Sequence, residues 1–138
     1  MDVIRSHKDL IVWQKSVALA GAVYAATRRL PSEERLGLTR QLRRASVSIA
    51  SNIARGSARA SRAELCQFLH IARGSLSELE TQMMIAVNQG FISATESPFA
   101  EISEVGRLLN GLIRSLASST TAAHAKACSP IVCTATGR

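Results

Sequence analysis

The strongest constraint on this chain is the spacing of its aliphatic side chains, which recur every three or four residues through four separate stretches. That period is one face of an α-helix, and a helix with one apolar face must bury it against others. The first stretch, about residues 8–29, carries Leu10, Trp13, Val17, Ala20, Tyr24 and Thr27 at this spacing. Its small residues Ala18, Gly21, Ala22 and Ala25 let a second helix come close. The second stretch, about 32–57, has Leu38, Leu42, Ala45, Ile49 and Ile53 on its stripe. It opens behind Pro31 with Glu33 and Glu34, which suit the positive end of a helix, and Gly56-Ser57 reads as a left-handed cap.

The third stretch, about 62–89, is the longest, with Leu65, Phe68, Leu69, Ala72, Leu76, Leu79, Met83 and Ala86 in sequence. Ser61 and Glu64 have the spacing of a capping box, Asn88-Gln89-Gly90 is a stop signal, and Gly74 inside the pattern predicts a close helix crossing. The fourth, about 97–117, has Ser97 as a cap, Pro98 in the first turn, and Ile102, Val105, Leu109, Leu112 and Leu116 as its stripe. Short links between long helices force antiparallel neighbours. The reading is an all-α fold: an up-down-up-down antiparallel four-helix bundle over residues 1–117. A disordered tail follows over 118–138, where Ser, Thr and Ala dominate and periodicity is lost. Apolar residues make up 46% of the chain and aromatics only 4%, so the core is built from Ala, Leu, Ile and Val.

Charge is the second constraint. The formal net charge is +7, and residues 28–73 alone hold ten arginines against three acids. Residues 1–27 come to +1 and residues 74–138 to −1, so the excess belongs to the middle of the chain. A localised positive field attracts polyanions. The alternative is a solvated arginine face with pairs inside the bundle. The uncharged run Ser16–Thr27 is shorter than the roughly 20 residues needed to span a bilayer, so no membrane partner is expected. Three cysteines, Cys66, Cys128 and Cys133, are an odd number with no scaffold spacing; they suit a reducing compartment, and the expected location is the cytoplasm.

Two motifs add a resemblance. The run Gln41-Leu42-Arg43-Arg44-Ala45-Ser46-Val47-Ser48-Ile49-Ala50-Ser51-Asn52-Ile53-Ala54 and the run Ile71-Ala72-Arg73-Gly74-Ser75-Leu76-Ser77-Glu78-Leu79-Glu80-Thr81-Gln82 carry it, with the opening Asp9-Leu10-Ile11-Val12-Trp13-Gln14-Lys15. Over about residues 7–117 the chain resembles the bacterial four-helix-bundle proteins named after open reading frames in intervening sequences of 23S ribosomal RNA genes. The accessory proteins of diversity-generating retroelements are similar. The resemblance implies a left-turning bundle assembled into a cyclic homo-oligomer, a pentamer, with no enzymatic activity. In the retroelement relatives a basic surface engages nucleic acid and a reverse transcriptase. The family pattern reads Ser-Asn-Ile-Ala-Glu-Gly where this chain has Arg55 before Gly56, a carboxylate replaced by a guanidinium.

Antiparallel second and third helices that turn near residues 58–60 bring Arg44 and Arg40 towards Glu78, and Gln41 towards Ser77 and Glu78. The expected polar network is therefore Arg44 or Arg40 paired with Glu78, completed by Gln41 or Gln82. Ser48 and Asn52 lie on or beside the apolar stripe, where a polar side chain can fix register. Arg43, Arg55, Arg59, Arg62 and Arg73 remain as the candidate nucleic-acid contacts, with Glu64 the nearest acid in sequence. Arginine suits phosphate because its planar fork donates two parallel hydrogen bonds. RNA or DNA is the first partner considered and an acidic protein the second. Self-association is suggested by apolar residues off the main stripes: Ile11, Val12, Val47, Ile71, Ile85, Leu108 and Ile113.

No catalytic residue, cofactor site or metal site is expected. His7, His70 and His124 are scattered, and Gly-x-Ser-x-Gly, Walker and dinucleotide patterns are missing from the sequence. Cys66 and His70 share a helix face, yet two ligands do not make a metal site.

Overall fold

The computed structural model describes His7 and residues 10–118. From residue 119 onward the predicted tail, with His124, Cys128 and Cys133, lies outside the described residues. Four helices are present: α1 (Ile11–Thr27), α2 (Leu38–Ser57), α3 (Arg62–Asn88) and α4 (Phe99–Ser118). Single 3-10 turns, Ser32–Glu34 and Ala94–Glu96, precede α2 and α4. The described residues contain no strand.

Each helix packs on two neighbours, in the cyclic order α1, α2, α3, α4. Side-chain partners give the directions. Along α2 and α3, Gln41 meets Gln82 and Ser48 meets Ser75, while Gly56 abuts Phe68. Along α3 and α4, Arg73 meets Asn110 and Leu76 meets Gly106. Lys15 of α1 pairs with Glu104 of α4, and Arg29, just past α1, pairs with Glu96 just before α4. In all three pairs the numbers fall on one side as they rise on the other, so the helices alternate in direction round the bundle.

The core holds the bundle together. Leu19, Leu42, Ile49, Ile53, Leu69, Leu79, Met83 and Leu109 are fully buried. Each such side chain contributes about 1.5–3 kcal/mol by leaving water. The ion pairs, Lys15–Glu104 at 3.4 Å and Arg29–Glu96 at 3.2 Å, are each about half exposed. Exposed pairs of this kind contribute at most about 1 kcal/mol.

The stripes of α2, α3 and α4 lie inward as their spacing predicts, but α1 is rotated. Its buried side is Val12, Ser16, Leu19, Val23, Ala26 and Thr27, and Val17 and Tyr24 face out. The sequence of α1 is apolar on nearly every side, so two stripes compete. The one chosen runs through a serine, which hides its polarity by donating from Oγ to the Val12 carbonyl at 2.7 Å. Thr27 does the same to Val23 at 2.8 Å.

The glycines exchange roles relative to expectation. Gly56 does not cap α2; it lies buried inside it. A methyl group there would meet Phe68 Cβ at 2.9 Å and Leu65 Cδ1 at 3.0 Å, so Gly56 is where α2 and α3 cross closely. Gly74 and Gly21 have open space instead. The left-handed glycine is Gly90, at φ 78°. It closes α3 with Gly90 N–H on the Val87 carbonyl and Phe91 N–H on the Ala86 carbonyl, a Schellman arrangement.

Helix starts also differ. Helix α2 begins at Leu38 rather than near 32, because Gly37 breaks the turn. The Glu34 carboxylate then caps the helix from outside by accepting the Leu38 N–H at 3.0 Å. Ser61 caps α3 as expected, accepting the Glu64 N–H at 3.1 Å. Ser97 is not the cap of α4: its hydroxyl donates to the Ser93 carbonyl, and a reciprocal capping box joins Ser93 and Glu96 instead.

Candidate nucleic-acid interface

Between Glu34 and Glu64 the chain contains no Asp or Glu, and α2 lies inside that interval. Its arginines are Arg40, Arg43, Arg44 and Arg55. At about 100° per residue, Arg40, Arg44, Val47, Ser51 and Arg55 share one side of the helix. All five are exposed. Among the described residues, Arg35, Arg40, Arg44 and Arg55 make no ion pair.

Arg43 is different. It is half-buried between α1 and α2, with Nε donating to Thr27 Oγ1 at 2.9 Å and its guanidinium carbon 4.7 Å above the centre of the Tyr24 ring. These two contacts fix the plane of the group. The terminal nitrogens make no hydrogen bond among the described residues. Around it lies an open cleft of about 630 Å³, lined by Tyr24, Arg35, Leu36, Thr39, Arg40, Arg43, Arg44, Val47 and Ser48. Four arginines line it and no carboxylate does.

The five arginines singled out from the sequence are not one cluster. Arg55, Arg59 and Arg62 are exposed at the α2–α3 turn, where Arg59 lies over the Phe68 ring at 4.8 Å. Arg73 is half-buried and committed to structure, donating to Asn110 Oδ1 at 3.1 Å and meeting His70 Nδ1 at 3.0 Å. Arg43 stands on the α1 side. Sequence reasoning missed Arg35, Tyr24 and Leu36 as neighbours of Arg40, Arg43 and Arg44. The acid-free interval was the available signal; Tyr24 was hidden by the misassigned face of α1.

The polar network is also rearranged. Neither Arg40 nor Arg44 pairs with Glu78. Gln82 Nε2 donates to Glu78 Oε2 at 3.3 Å and to Gln41 Oε1 at 3.4 Å. The register also differs, since Gln41 meets Gln82 rather than Ser77, and Arg44 lies on the outward side of α2. Arg44 and Glu78 still border a common smaller cleft with Gln41, Ala45 and Ser48. Ser48 links the helices through Ser75 Oγ at 2.9 Å, and it is steadied by Asn52 Nδ2 at 3.0 Å. The buried Gln82 Oε1 has no hydrogen-bond partner among the described residues.

Cys66 is buried and disulfide-bonded. Cys66 therefore has no thiolate to offer a metal beside His70. The described residues hold no group of three metal-ligating side chains, and no described helix is long and apolar enough to cross a membrane.

No curated protein shows significant similarity to the chain. The profile of a family described as 23S rRNA-intervening sequence protein matches residues 8–111, which takes in α1, α2, α3 and most of α4.

Proposed function

The chain belongs to the 23S rRNA-intervening sequence protein family, and we propose that it is a non-enzymatic, self-assembling bundle that binds the phosphate backbone of nucleic acid through α2 and the turn after it. The observation that carries this reading is the acid-free helix. Its outward arginines Arg40, Arg44 and Arg55 have no ionic partner among the described residues, and Arg59 extends the band past the helix end. Arg55, where the family pattern has a glutamate, lengthens the band rather than interrupting it. A flexible polyanion laid along this face releases counterions, so affinity falls with salt by about 0.7–0.9 log units per contacted phosphate for each tenfold rise in concentration.

Self-assembly rests on apolar surface left outside the core. Ile71, Met84 and Ile85 are exposed on α3, and Ile11 and Val17 on α1. Of the residues first suspected, Val12 and Ile113 are buried in the core. Exposed apolar side chains on two different helices suit a head-to-tail contact, which closes into a ring such as the pentamer that the resemblance implies.

Fluorescence anisotropy with a labelled RNA tests the first part. Binding weakens steeply between about 50 and 200 mM salt. It is lost in the Arg44→Glu/Arg55→Glu variant while the helical circular dichroism is unchanged. RNA left free by the unmodified protein at low salt refutes it. Sedimentation tests the second part: a monomer at micromolar concentration removes the ring.

A further inference from the structure

We propose that the cleft between α1 and α2 seats an unpaired nucleotide, with phosphate on the Arg43 fork and the base on the floor formed by Leu36 and Val47 beside the Tyr24 edge. This rests on the nucleic-acid reading above and narrows it: the preferred ligand is single-stranded.

Three features of the cleft lead there. The first is the fixed fork. A phosphate-binding arginine usually loses side-chain freedom when it engages its ligand. Arg43 has lost it already, held at Nε by Thr27 and stacked on Tyr24, with both terminal nitrogens unbonded among the described residues. That leaves a planar pair of donors of the kind that grips one phosphate with two parallel bonds.

The second feature is the apolar surface between the cations. Leu36 is 75% exposed, Val47 44% and Tyr24 38%, all lining the same cleft as Arg35, Arg40 and Arg44. A duplex presents phosphates on its outside and keeps its bases stacked inside, so it has nothing to lay on this floor. An unpaired base has a broad apolar face, and stacking or packing of that face tolerates any sequence.

The third feature is continuity. The cleft shares Arg40, Arg44 and Val47 with the outward stripe that runs on to Arg55. Helix α2, at 20 residues, is about 30 Å long. A strand anchored in the cleft can follow that row of charge, whereas a short acidic peptide fills the cleft and leaves the rest of the row unmatched.

The test uses the full chain in anisotropy titrations at one fixed salt concentration, with a labelled 12-nucleotide single strand, the duplex of the same sequence, and labelled polyglutamate as probes. We expect the single strand to bind about tenfold more tightly than the duplex, the scale of one stacked base. Arg43→Lys keeps the charge and loses the fork. Leu36→Ser changes a side chain too exposed to matter for folding. Each lowers single-strand affinity several-fold and leaves duplex affinity unchanged.

Equal binding of strand and duplex, with both variants silent, overturns the cleft proposal and leaves backbone binding standing. No binding of either nucleic acid overturns both. Polyglutamate bound as tightly as the strand makes the occupant an acidic protein and overturns the proposal. So does a change in sedimentation mass in Leu36→Ser, which makes the occupant a second copy of this chain.

Discussion

One substitution, made at two glycines, is expected to act with opposite sign. Gly56 and Gly74 both lie inside long helices, where glycine costs about 1 kcal/mol relative to alanine. At Gly74 a new methyl group has nothing within 4 Å, so Gly74→Ala keeps the whole gain. At Gly56 the same methyl group meets Phe68 Cβ at 2.9 Å, Leu65 Cδ1 at 3.0 Å and the Leu65 backbone oxygen at 3.2 Å. The leucine tip can turn away; the backbone oxygen and a Cβ cannot move without shifting α3. Overpacking of this kind costs about 1–3 kcal/mol. Set against the propensity gain, Gly56→Ala is neutral to about 2 kcal/mol destabilising. The two variants are thus separated by about 1–3 kcal/mol. Urea denaturation at one fixed protein concentration, followed by helical circular dichroism, reads this as a higher midpoint for Gly74→Ala and an equal or lower one for Gly56→Ala. Fixing the concentration keeps the proposed self-association from entering the comparison, since binding to the folded state raises apparent stability. A raised midpoint for Gly56→Ala, or a lowered one for Gly74→Ala, refutes the assignment of the close crossing.

Four further outcomes follow from the packing. Leu79→Ala, at a fully buried position, lowers stability by about 2–5 kcal/mol in the same urea assay. Ser61→Ala removes the α3 cap and costs about 1 kcal/mol, read from the same midpoint shift. Thr27→Val removes the acceptor of the Arg43 Nε bond; it costs about 1 kcal/mol and also weakens single-strand binding by loosening the fork, which anisotropy detects. Lys15→Ala breaks an ion pair about half exposed to solvent and shifts the midpoint by under about 1 kcal/mol.

How much of this was legible beforehand varies along the chain. The stripes of α2, α3 and α4 separate cleanly from their polar sides, and the period alone places Leu42, Ile49, Leu69, Leu79 and Leu109 in the core. Helix α1 has no polar side to reject, so its rotation is set by what α2 and α4 present to it. A serine with a local carbonyl partner is as acceptable inside as an alanine. Glycine is equally ambiguous: the letter says that a side chain is missing, not whether a neighbour fills the space. Gly56 and Gly74 could only be told apart once the register of α2 on α3 was known. The expected Arg44–Glu78 pair does not form although both side chains border one cleft, because Arg44 belongs to the outward side of α2. The candidate interface was half legible. The arginines of α2 were visible, but the cleft needs Tyr24 from the face of α1 that periodicity assigned to the core.

The charge of α2 bears on the fold as well as on any ligand. Arg40 lies in the first turn, where the backbone amides already make the end positive, and Arg44 repeats the same sign one turn later. The Glu34 cap offsets only part of this. Helix formation therefore concentrates like charge that an unfolded chain would spread out, and dissolved anions relieve it. Ionic strength then acts in two directions at once: added salt firms the folded subunit by screening its self-repulsion, while it loosens the grip on a polyanion.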